Sequence, residues 1–268
     1  MSRARENAPI QGGPFRAFVS ALTFLTIIPL PDSWKTAQPN GMFWAFPPAA
    51  LVVGALLAAA SAGASWLLPP MVAAVALTAV CVLLPGAIHL DGLADCADAF
   101  YGRRDRQDVL RILKDPRVGT MGAAAVALSL LLRTSAFASV RPEVLLAALP
   151  AAALLSRSAV LPALHLLPYV RGESGIITAP GAGAGGRTVL GTAAVFIALA
   201  FFPVPGAAAL VALGILWRLA WKKIGGCTGD VLGATIEAGE VVFAVALAAA
   251  EKAGLHWGLA WDIPGLVR

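Results

Sequence analysis

Charged side chains are scarce in this chain of 268 residues, since Asp, Glu, Lys and Arg together make up 13% of it. A typical soluble domain has about twice that share. Apolar residues make up 59% of the chain, and its mean hydropathy is +0.79. The chain has too few charges to cover a soluble surface, which indicates a protein embedded in a lipid bilayer. We expect a single integral membrane domain over residues 1–268.

Cysteine and histidine are also rare, with three residues of each. Cys81, Cys96 and Cys227 follow no spacing that is typical of a disulfide framework or a zinc site. No stretch of the sequence resembles a Ser-His-Asp or Cys-His arrangement. Chemistry is therefore expected from acidic and basic side chains, although His89 directly precedes an acidic cluster and could orient one of its carboxylates.

Seven apolar segments approach or exceed the roughly 20 residues that a membrane-spanning helix needs. They cover about 42–68, 71–90, 119–140, 143–162, 188–202, 206–222 and 231–250. The run 15–30 is apolar too, but it ends in two closely spaced prolines, which favours an interfacial or re-entrant helix. The predicted fold class is an all-α, polytopic membrane bundle of about seven transmembrane helices plus this N-terminal helix.

Basic residues are concentrated in segments between the predicted spans, at 1–41, 91–118, 163–187 and 222–230. The opposite side has only Arg141, Lys252 and Arg268. Because positively charged loops stay on the cytoplasmic side, we expect a multi-pass protein of the bacterial cytoplasmic membrane with the four basic segments in the cytoplasm. The sequence pI of about 9.5 then reflects topology and an anionic substrate, and no nucleic-acid partner is expected.

Three aspartates follow the second predicted span. Asp91, Asp95 and Asp98 are spaced i, i+4 and i+7, so a helix places them on one face. Carboxylates so close together repel one another and are costly near lipid, and a divalent cation removes both problems. Oxygen-only ligands suit Mg²⁺, which proteins usually hold with one or two carboxylates and substrate phosphates. The cluster predicts a magnesium site, and the plainer alternative is a solvated helix end.

A glycine-rich loop, Gly225 to Asp230, precedes the last predicted span. Gly226 and Gly229 allow backbone N–H groups to approach an anion, and the positive N-terminus of the next helix points to the same place. Thr228 can donate a hydrogen bond to that anion. Asp230 is either a further metal ligand or a simple helix cap.

Two glutamates lie inside the span that follows this loop. Glu237 is about two turns beyond Asp230 on the same face, and an ionisable residue within a span is a functional candidate. Glu240 lies one turn deeper. For Glu240 the plainer interpretation is a buried partner for Arg157 or Arg218.

Two arginines are candidates for phosphate contacts. Arg117, just before the third span, has a planar guanidinium that suits phosphate oxygens, and the adjacent Asp115 could cap a helix, accept a proton or reach a metal. Topology and capping alone would also explain both residues. Arg157, in the fourth span, must face the bundle interior and find an anion, which could be Asp98, Asp230 or a substrate phosphate.

Acidic groups from two distant segments and basic groups from two others are thus predicted on one membrane face. A metal ion and arginines around a phosphoanhydride are what phosphoryl transfer requires, because its catalysis is mainly positioning and charge stabilisation. The residues by themselves therefore favour a membrane phosphotransferase.

Over nearly its whole length the chain resembles the cobalamin synthase family, the adenosylcobinamide-GDP ribazoletransferases. The resemblance is carried by residues 18–31, by His89 to Asp95 with Asp98, by Asp115 to Thr120 with Gly122, by Ser156-Arg157, and by the final motif from Gly225 to Glu240. The loop 171–186 fits the family's glycine-containing loop only loosely.

This resemblance implies a late step of cobalamin (vitamin B12) synthesis. Adenosylcobinamide-GDP and α-ribazole, or α-ribazole 5'-phosphate, would give adenosylcobalamin, or its 5'-phosphate, and GMP. It also implies an integral protein of the cytoplasmic membrane that depends on Mg²⁺. Whether the chain forms a homo-oligomer stays open.

The resemblance also implies roles for particular residues. Arg117 and Arg157 would offset developing charge, and Asp98 would take the proton of the attacking hydroxyl, with Asp115 and Glu237 as alternatives. The metal would bridge the diphosphate from four carboxylates, which are Asp91, Asp95, Asp98 and Asp230.

Two other classes of protein are weighed against this one. A CDP-alcohol phosphotransferase also uses Asp-Gly motifs and Mg²⁺, but its signature places an Ala-Arg pair after Asp-Gly, where this chain has Leu93-Ala94-Asp95. A transporter would distribute its intramembrane acids over several depths, whereas the acids here gather towards one face. Both alternatives are therefore less favoured.

Overall fold

The computed structural model describes residues 13–36, 39–170 and 184–255, and these form an all-α bundle without a β-strand. Two 3₁₀ segments, Asp32–Trp34 and Pro39–Ala45, lie between the first two helices. The predicted helical fold class is confirmed. The helices are α1 (Gly13–Leu25), α2 (Phe46–Leu67), α3 (Pro70–Leu83), α4 (Ile88–Phe100), α5 (Arg106–Ile112), α6 (Thr120–Ser139), α7 (Pro142–Ser158), α8 (Val160–Leu166), α9 (Ala184–Phe201), α10 (Pro203–Ile224) and α11 (Gly229–Lys252).

Five helical stretches in the described residues are long and apolar enough to cross a membrane, and a bent pair of helices, α3 and α4, makes six if it counts as one span. Helices α1 and α9 are apolar but shorter. The predicted number of seven is therefore not confirmed, although each of the seven predicted segments contains a helix. The five stretches are 41–67, 120–139, 142–166, 203–224 and 229–252.

The predicted span 71–90 is interrupted, because α4 leaves α3 at an angle of 83°. Pro85 has no backbone N–H and its ring crowds the preceding turn, so a helix ends there. Gly86 and Ala87 then adopt left-handed φ angles of 65° and 62°. The break turns the acid-bearing helix α4 away from the direction of the span.

Helix α1 has 13 residues and cannot cross a bilayer by itself, which agrees with the predicted interfacial or re-entrant helix. Beyond its end, the Ile27 backbone N–H donates to the Leu84 carbonyl oxygen over 2.8 Å. The N-terminal segment is thereby tied to the break between α3 and α4.

Helix α7 lies at the centre of the bundle, where it packs against α2, α9 and α11. Its closest neighbour is α2 at Gly54, because a Cβ atom there would overlap the backbone of Pro150. Small residues allow membrane helices to approach in this way. Helices α6 and α10 lie outside, and many of their exposed side chains are aliphatic, as expected for a surface that faces lipid: Leu128, Leu131, Val211 and Ile215 are examples.

The contact between Gly54 and Pro150 yields a first prediction. We expect Gly54→Val to lower the free energy of unfolding by about 1–3 kcal/mol, because overpacking forces the two helices apart. Gly63→Val is the matched control on the same helix, since nothing lies within 4 Å of a Cβ atom at Gly63. Thermal unfolding in detergent measures both, and equal melting temperatures would contradict the close contact.

Candidate active site

Helix α4 carries the three predicted aspartates on one face, as their spacing requires. Asp91 is exposed, while Asp95 and Asp98 are half-buried. The helix packs mainly against α11 and α6. Both of these helices begin beside α4, so three helix ends meet at one end of the bundle.

Two glycines bring α4 into contact with the first turns of α11. A Cβ atom at Gly92 would lie 2.6 Å from the Asp230 carbonyl oxygen and 3.2 Å from the Gly233 Cα atom. The backbones of the two helices therefore touch, and Asp91 and Asp95 come to lie beside the segment that carries Asp230. This contact explains why glycine follows Asp91, and the sequence pattern did not predict it.

Asp98 caps the other neighbour of α4. Its Oδ2 atom accepts a hydrogen bond of 2.7 Å from the Gly119 backbone N–H, which is at the start of α6. A Cβ atom at Gly122 would overlap the same carboxylate. The Asp98 side chain is thus fixed against the positive end of a helix, where a negative charge is favourable.

The four carboxylates predicted to hold Mg²⁺ do not all converge. Among the described residues, no group of three or more His, Cys, Asp and Glu side chains is arranged to hold a metal ion. Asp95 and Asp230 both lie close enough to Cys96 to act on its thiol electrostatically, whereas Asp98 is directed to Gly119. This donor set fits a magnesium ion that shares its coordination with substrate phosphates, since such ions often take only one or two carboxylates.

Thr228 is the N-cap of α11. Its hydroxyl accepts from the Val231 backbone N–H at 3.5 Å and donates to Asp230 Oδ2 at 3.1 Å. The side chain is fully buried. The predicted contact of Thr228 with a substrate remains a prediction, and the structure adds a local function that orients Asp230.

A short segment after α8 clamps the glycine-rich loop, and the sequence did not predict it. The Cys227 backbone N–H donates to the Pro168 carbonyl at 2.8 Å, and the Val170 N–H donates to the Cys227 carbonyl at 2.9 Å. Gly226 is required here because a Cβ atom would overlap the Pro168 carbonyl oxygen. By contrast, a Cβ atom at Gly229 would have only the Tyr169 hydroxyl within 4 Å, so the backbone there is open to a ligand.

Asp115 and Arg117 form an exposed ion pair just before α6. The Arg117 Nε and Nη2 atoms donate to the two Asp115 carboxylate oxygens at 2.9 and 2.7 Å. These hydrogen bonds lower the pKa of Asp115 to about 2. Such a carboxylate is a weak base, so this pairing does not favour Asp115 as the proton acceptor.

The glutamates of α11 lie deeper, in a cluster that we call the interior ion cluster: Arg133, Arg157, Glu237 and Glu240. Arg133 Nη2 lies 2.9 Å from Glu237 and 3.4 Å from Glu240, and Arg157 pairs with Glu240. All four side chains are buried. The expectation that Glu240 is a buried partner for Arg157 is confirmed.

Arg133 of this cluster was not predicted as a partner of either glutamate. The available signal was that a lone arginine in the middle of a span must find an acid, and that Glu237 and Glu240 share a helix face. Ser129 adds a hydrogen bond of 2.5 Å to Glu237. The predicted roles of Glu237 as a base and Arg157 as a phosphate ligand remain predictions, but here both residues are committed to interior pairs.

The chain matches a known protein family over nearly its whole length. The sequence profile described as cobalamin-5-phosphate synthase matches residues 17–248. The chain belongs to the cobalamin-5-phosphate synthase family. No solved structure matches it.

Several curated relatives of this family member are named adenosylcobinamide-GDP ribazoletransferase. The protein of Chlorobaculum parvum is 37% identical and is aligned over 83% of this chain and 91% of its own length. The protein of Azorhizobium caulinodans is 39% identical over 84% and 92%. The protein of Chlorobaculum tepidum is 36% identical over 90% and 98%.

The contact of Gly92 with α11 predicts an effect on both stability and activity. We expect Gly92→Ala to push α4 away from Asp230 and to lower enzymatic turnover at least about tenfold, since misplacing groups by about 1 Å can cost more than that. The matched control is Gly214→Ala in α10, where a Cβ atom meets nothing within 4 Å. Turnover and melting temperature are measured together, and normal turnover of Gly92→Ala would refute the contact.

The interior ion cluster predicts a large loss of stability when one member is removed. Arg133→Met leaves two buried carboxylates with one cation, which should cost about 3–5 kcal/mol of unfolding free energy. Arg141→Met is the control, because Arg141 pairs with Glu251 at a partly exposed site and such pairs contribute about 0–1 kcal/mol. Denaturant unfolding in detergent compares them, and equal losses would show that burial of the cluster is not decisive.

Proposed function

We propose that this end of the bundle transfers the cobinamide phosphate of adenosylcobinamide-GDP to a ribose hydroxyl of α-ribazole or of its 5'-phosphate. The chain is an enzyme of the final step of cobalamin synthesis, as its family and the name of its relatives indicate. The observation that carries the assignment of the site is the meeting of α4 with the first turns of α6 and α11.

Helix N-termini are anion sites, because their free N–H groups and positive dipole ends face outward. Here two such ends flank the acidic face of α4: the start of α6, whose Gly119 N–H already donates to Asp98, and the start of α11 at Gly229, whose backbone is open. A diphosphate placed at the start of α11 gains backbone donors. The adjacent carboxylates would repel it, and a bound Mg²⁺ would supply the missing positive charge.

We propose that the metal takes one or two carboxylates from Asp91, Asp95 and Asp230 and completes its coordination with substrate phosphates. These aspartates lie on the two helices that touch at Gly92, and their oxygens are ligands that suit magnesium. Asp98 is held by α6 through Gly119, so we place it beside the acceptor hydroxyl instead of among the first metal ligands. The proposed metal ligands therefore omit Asp98, which was one of the four carboxylates expected from the sequence.

In the proposed reaction, a ribose hydroxyl oxygen that is free in both α-ribazole and its 5'-phosphate attacks the phosphorus atom attached to cobinamide. The bond from that phosphorus to the bridging oxygen of the diphosphate breaks, and GMP leaves with the bridging oxygen. Asp98 accepts the hydroxyl proton, in an orientation fixed by the Gly119 N–H. Exposed Arg117 is available to contact the leaving phosphate by exchanging its pair with Asp115.

We further propose that this end of the bundle lies on the cytoplasmic side of the bacterial inner membrane. The exposed surface around α5 is rich in arginine and lysine, which is typical of cytoplasmic loops. A cytoplasmic site would also give direct access to a soluble nucleotide-linked substrate.

The test is GMP release by the full-length protein in liposomes, given adenosylcobinamide-GDP, α-ribazole and Mg²⁺. We expect GMP in equal amount to cobalamin, loss of the reaction on chelation of Mg²⁺, and a loss of about a hundredfold or more in Asp91→Asn, since Asp91 is the most exposed carboxylate on the acidic face. Asp108→Asn is the matched control, because Asp108 is a surface acid on α5 that pairs with Arg111.

Each outcome of this assay bears on a separate statement. A folded wild-type protein that releases no GMP would overturn the proposed reaction. Full activity of Asp91→Asn would keep the reaction but remove Asp91 from the metal site. Full activity after removal of Mg²⁺ would exclude magnesium as the cofactor.

A further inference from the structure

A cavity of about 40 Å³ lies beside the candidate site, between the start of α11, the start of α4 and the 3₁₀ segment that precedes α2. Three phenylalanines and one histidine contribute to its wall, and the remaining lining residues are aliphatic or glycine. Small-molecule sites are typically apolar with a few polar groups that fix orientation. We call this cavity the aromatic slot; its aromatic lining residues are Phe24, Phe43, Phe46 and His89.

The three phenyl rings form a connected group. The ring centroids of Phe43 and Phe46 are 5.0 Å apart, and those of Phe24 and Phe46 are 6.0 Å apart, in tilted arrangements. Such a group offers ring faces and edges to a further aromatic ring. A planar base gains from these contacts, as it does on aromatic side chains elsewhere.

His89 gives the slot a polar edge. Its side chain is 4% exposed and lies among otherwise apolar lining residues. An imidazole carries one ring nitrogen that donates and one that accepts when it is neutral. The slot therefore suits a flat, mostly apolar heterocycle with a ring nitrogen better than it suits an aliphatic chain.

The slot adjoins the two segments that carry the proposed chemistry. Gly229 lines it and immediately precedes Asp230, while His89 lines it two residues before Asp91. A nucleoside whose base occupied the slot would place its sugar next to the acidic face of α4. This continuity ties the cavity to the acceptor substrate.

We propose that the aromatic slot binds the fused-ring, benzimidazole-type base of the nucleoside acceptor, which rests on the function proposed above. The volume of the slot is smaller than the roughly 150 Å³ of a cavity that admits benzene. Entry of the base therefore requires side chains to move apart. Phe24 is half-buried and Ile88 is 46% exposed, so outward rotation of these two side chains is the movement that the proposal requires.

Binding and kinetics of the full-length protein in detergent test this proposal. Affinity for α-ribazole is measured without the second substrate, and KM is measured for both substrates through GMP release. We expect Phe46→Leu and His89→Gln to weaken α-ribazole binding and raise its KM about tenfold, with the KM of adenosylcobinamide-GDP unchanged. The comparison of the two KM values separates a role in base binding from a general loss of structure.

Phe202→Leu is the matched control for Phe46→Leu. Phe202 is as deeply buried as Phe46, and its ring packs at 5.7 Å against Phe243, at the opposite end of α10 from the site. We expect this variant to lose similar stability without any change in the KM of α-ribazole. If the buried variants fail to fold, Ile88→Trp at the exposed mouth should block the slot and weaken α-ribazole binding at least about tenfold.

A second acceptor sharpens the test, namely a riboside whose base is a single imidazole ring. The wild type should prefer the fused-ring base, and Phe46→Leu should reduce that preference. Unchanged α-ribazole affinity in folded Phe46→Leu, His89→Gln and Ile88→Trp, or equal shifts in the KM of both substrates, would overturn the slot while leaving the reaction intact. Binding of α-ribazole through the slot without any GMP release would overturn the reaction and keep the slot.

Discussion

Opposite charges buried inside the membrane-spanning part of the bundle are the constraint on which the rest of the structure depends. Arg133 and Arg157 each pair with a glutamate of α11 at buried positions, where lipid offers no polar group to solvate a charge. An unpaired charge at such a depth costs several kcal/mol, so α6, α7 and α11 are held at one relative height. The start of α11 lies two to three turns from these glutamates, so the same ion pairs also fix the positions of Thr228 and Asp230.

The second constraint is the break between α3 and α4. A straight continuation of α3 would have directed the aspartates at 83° from the course that α4 takes. The proline-glycine turn instead directs α4 to the place where both α6 and α11 begin. Backbone contact at Gly92 and the cap made by Asp98 then fix the acidic face beside two positive helix ends. The site therefore lies where helix ends meet, and at least one of its carboxylates, Asp98, also stabilises the fold by a hydrogen bond to a neighbouring helix.

Much of this architecture could be predicted from the sequence, and the exceptions have physical reasons. Hydrophobic runs identified the helices, and the spacing of Asp91, Asp95 and Asp98 identified their shared face. The number of seven spans is not confirmed, because the predicted segment 188–202 forms a helix shorter than a span and the segment 71–90 is interrupted after Leu84. Arg133 was not assigned, since its partners Glu237 and Glu240 lie in a helix far away in the chain and no local pattern connects them. Gly226 contacts the Pro168 carbonyl, which is far away in the sequence, so no local sequence pattern predicts this contact.

The order of the charges along the chain has a consequence for biosynthesis. Arg157 precedes its partner Glu240 by 83 residues, and Arg133 precedes it by 107. A chain that emerges from its N-terminus therefore delivers both cations to the membrane before either anion exists. Until α11 arrives, α6 and α7 must keep those guanidinium groups in contact with water, headgroups or the insertion machinery. Helix α11 thus neutralises the two buried arginines when it joins the bundle, and α6 and α7 reach their paired arrangement only after α11 has been made.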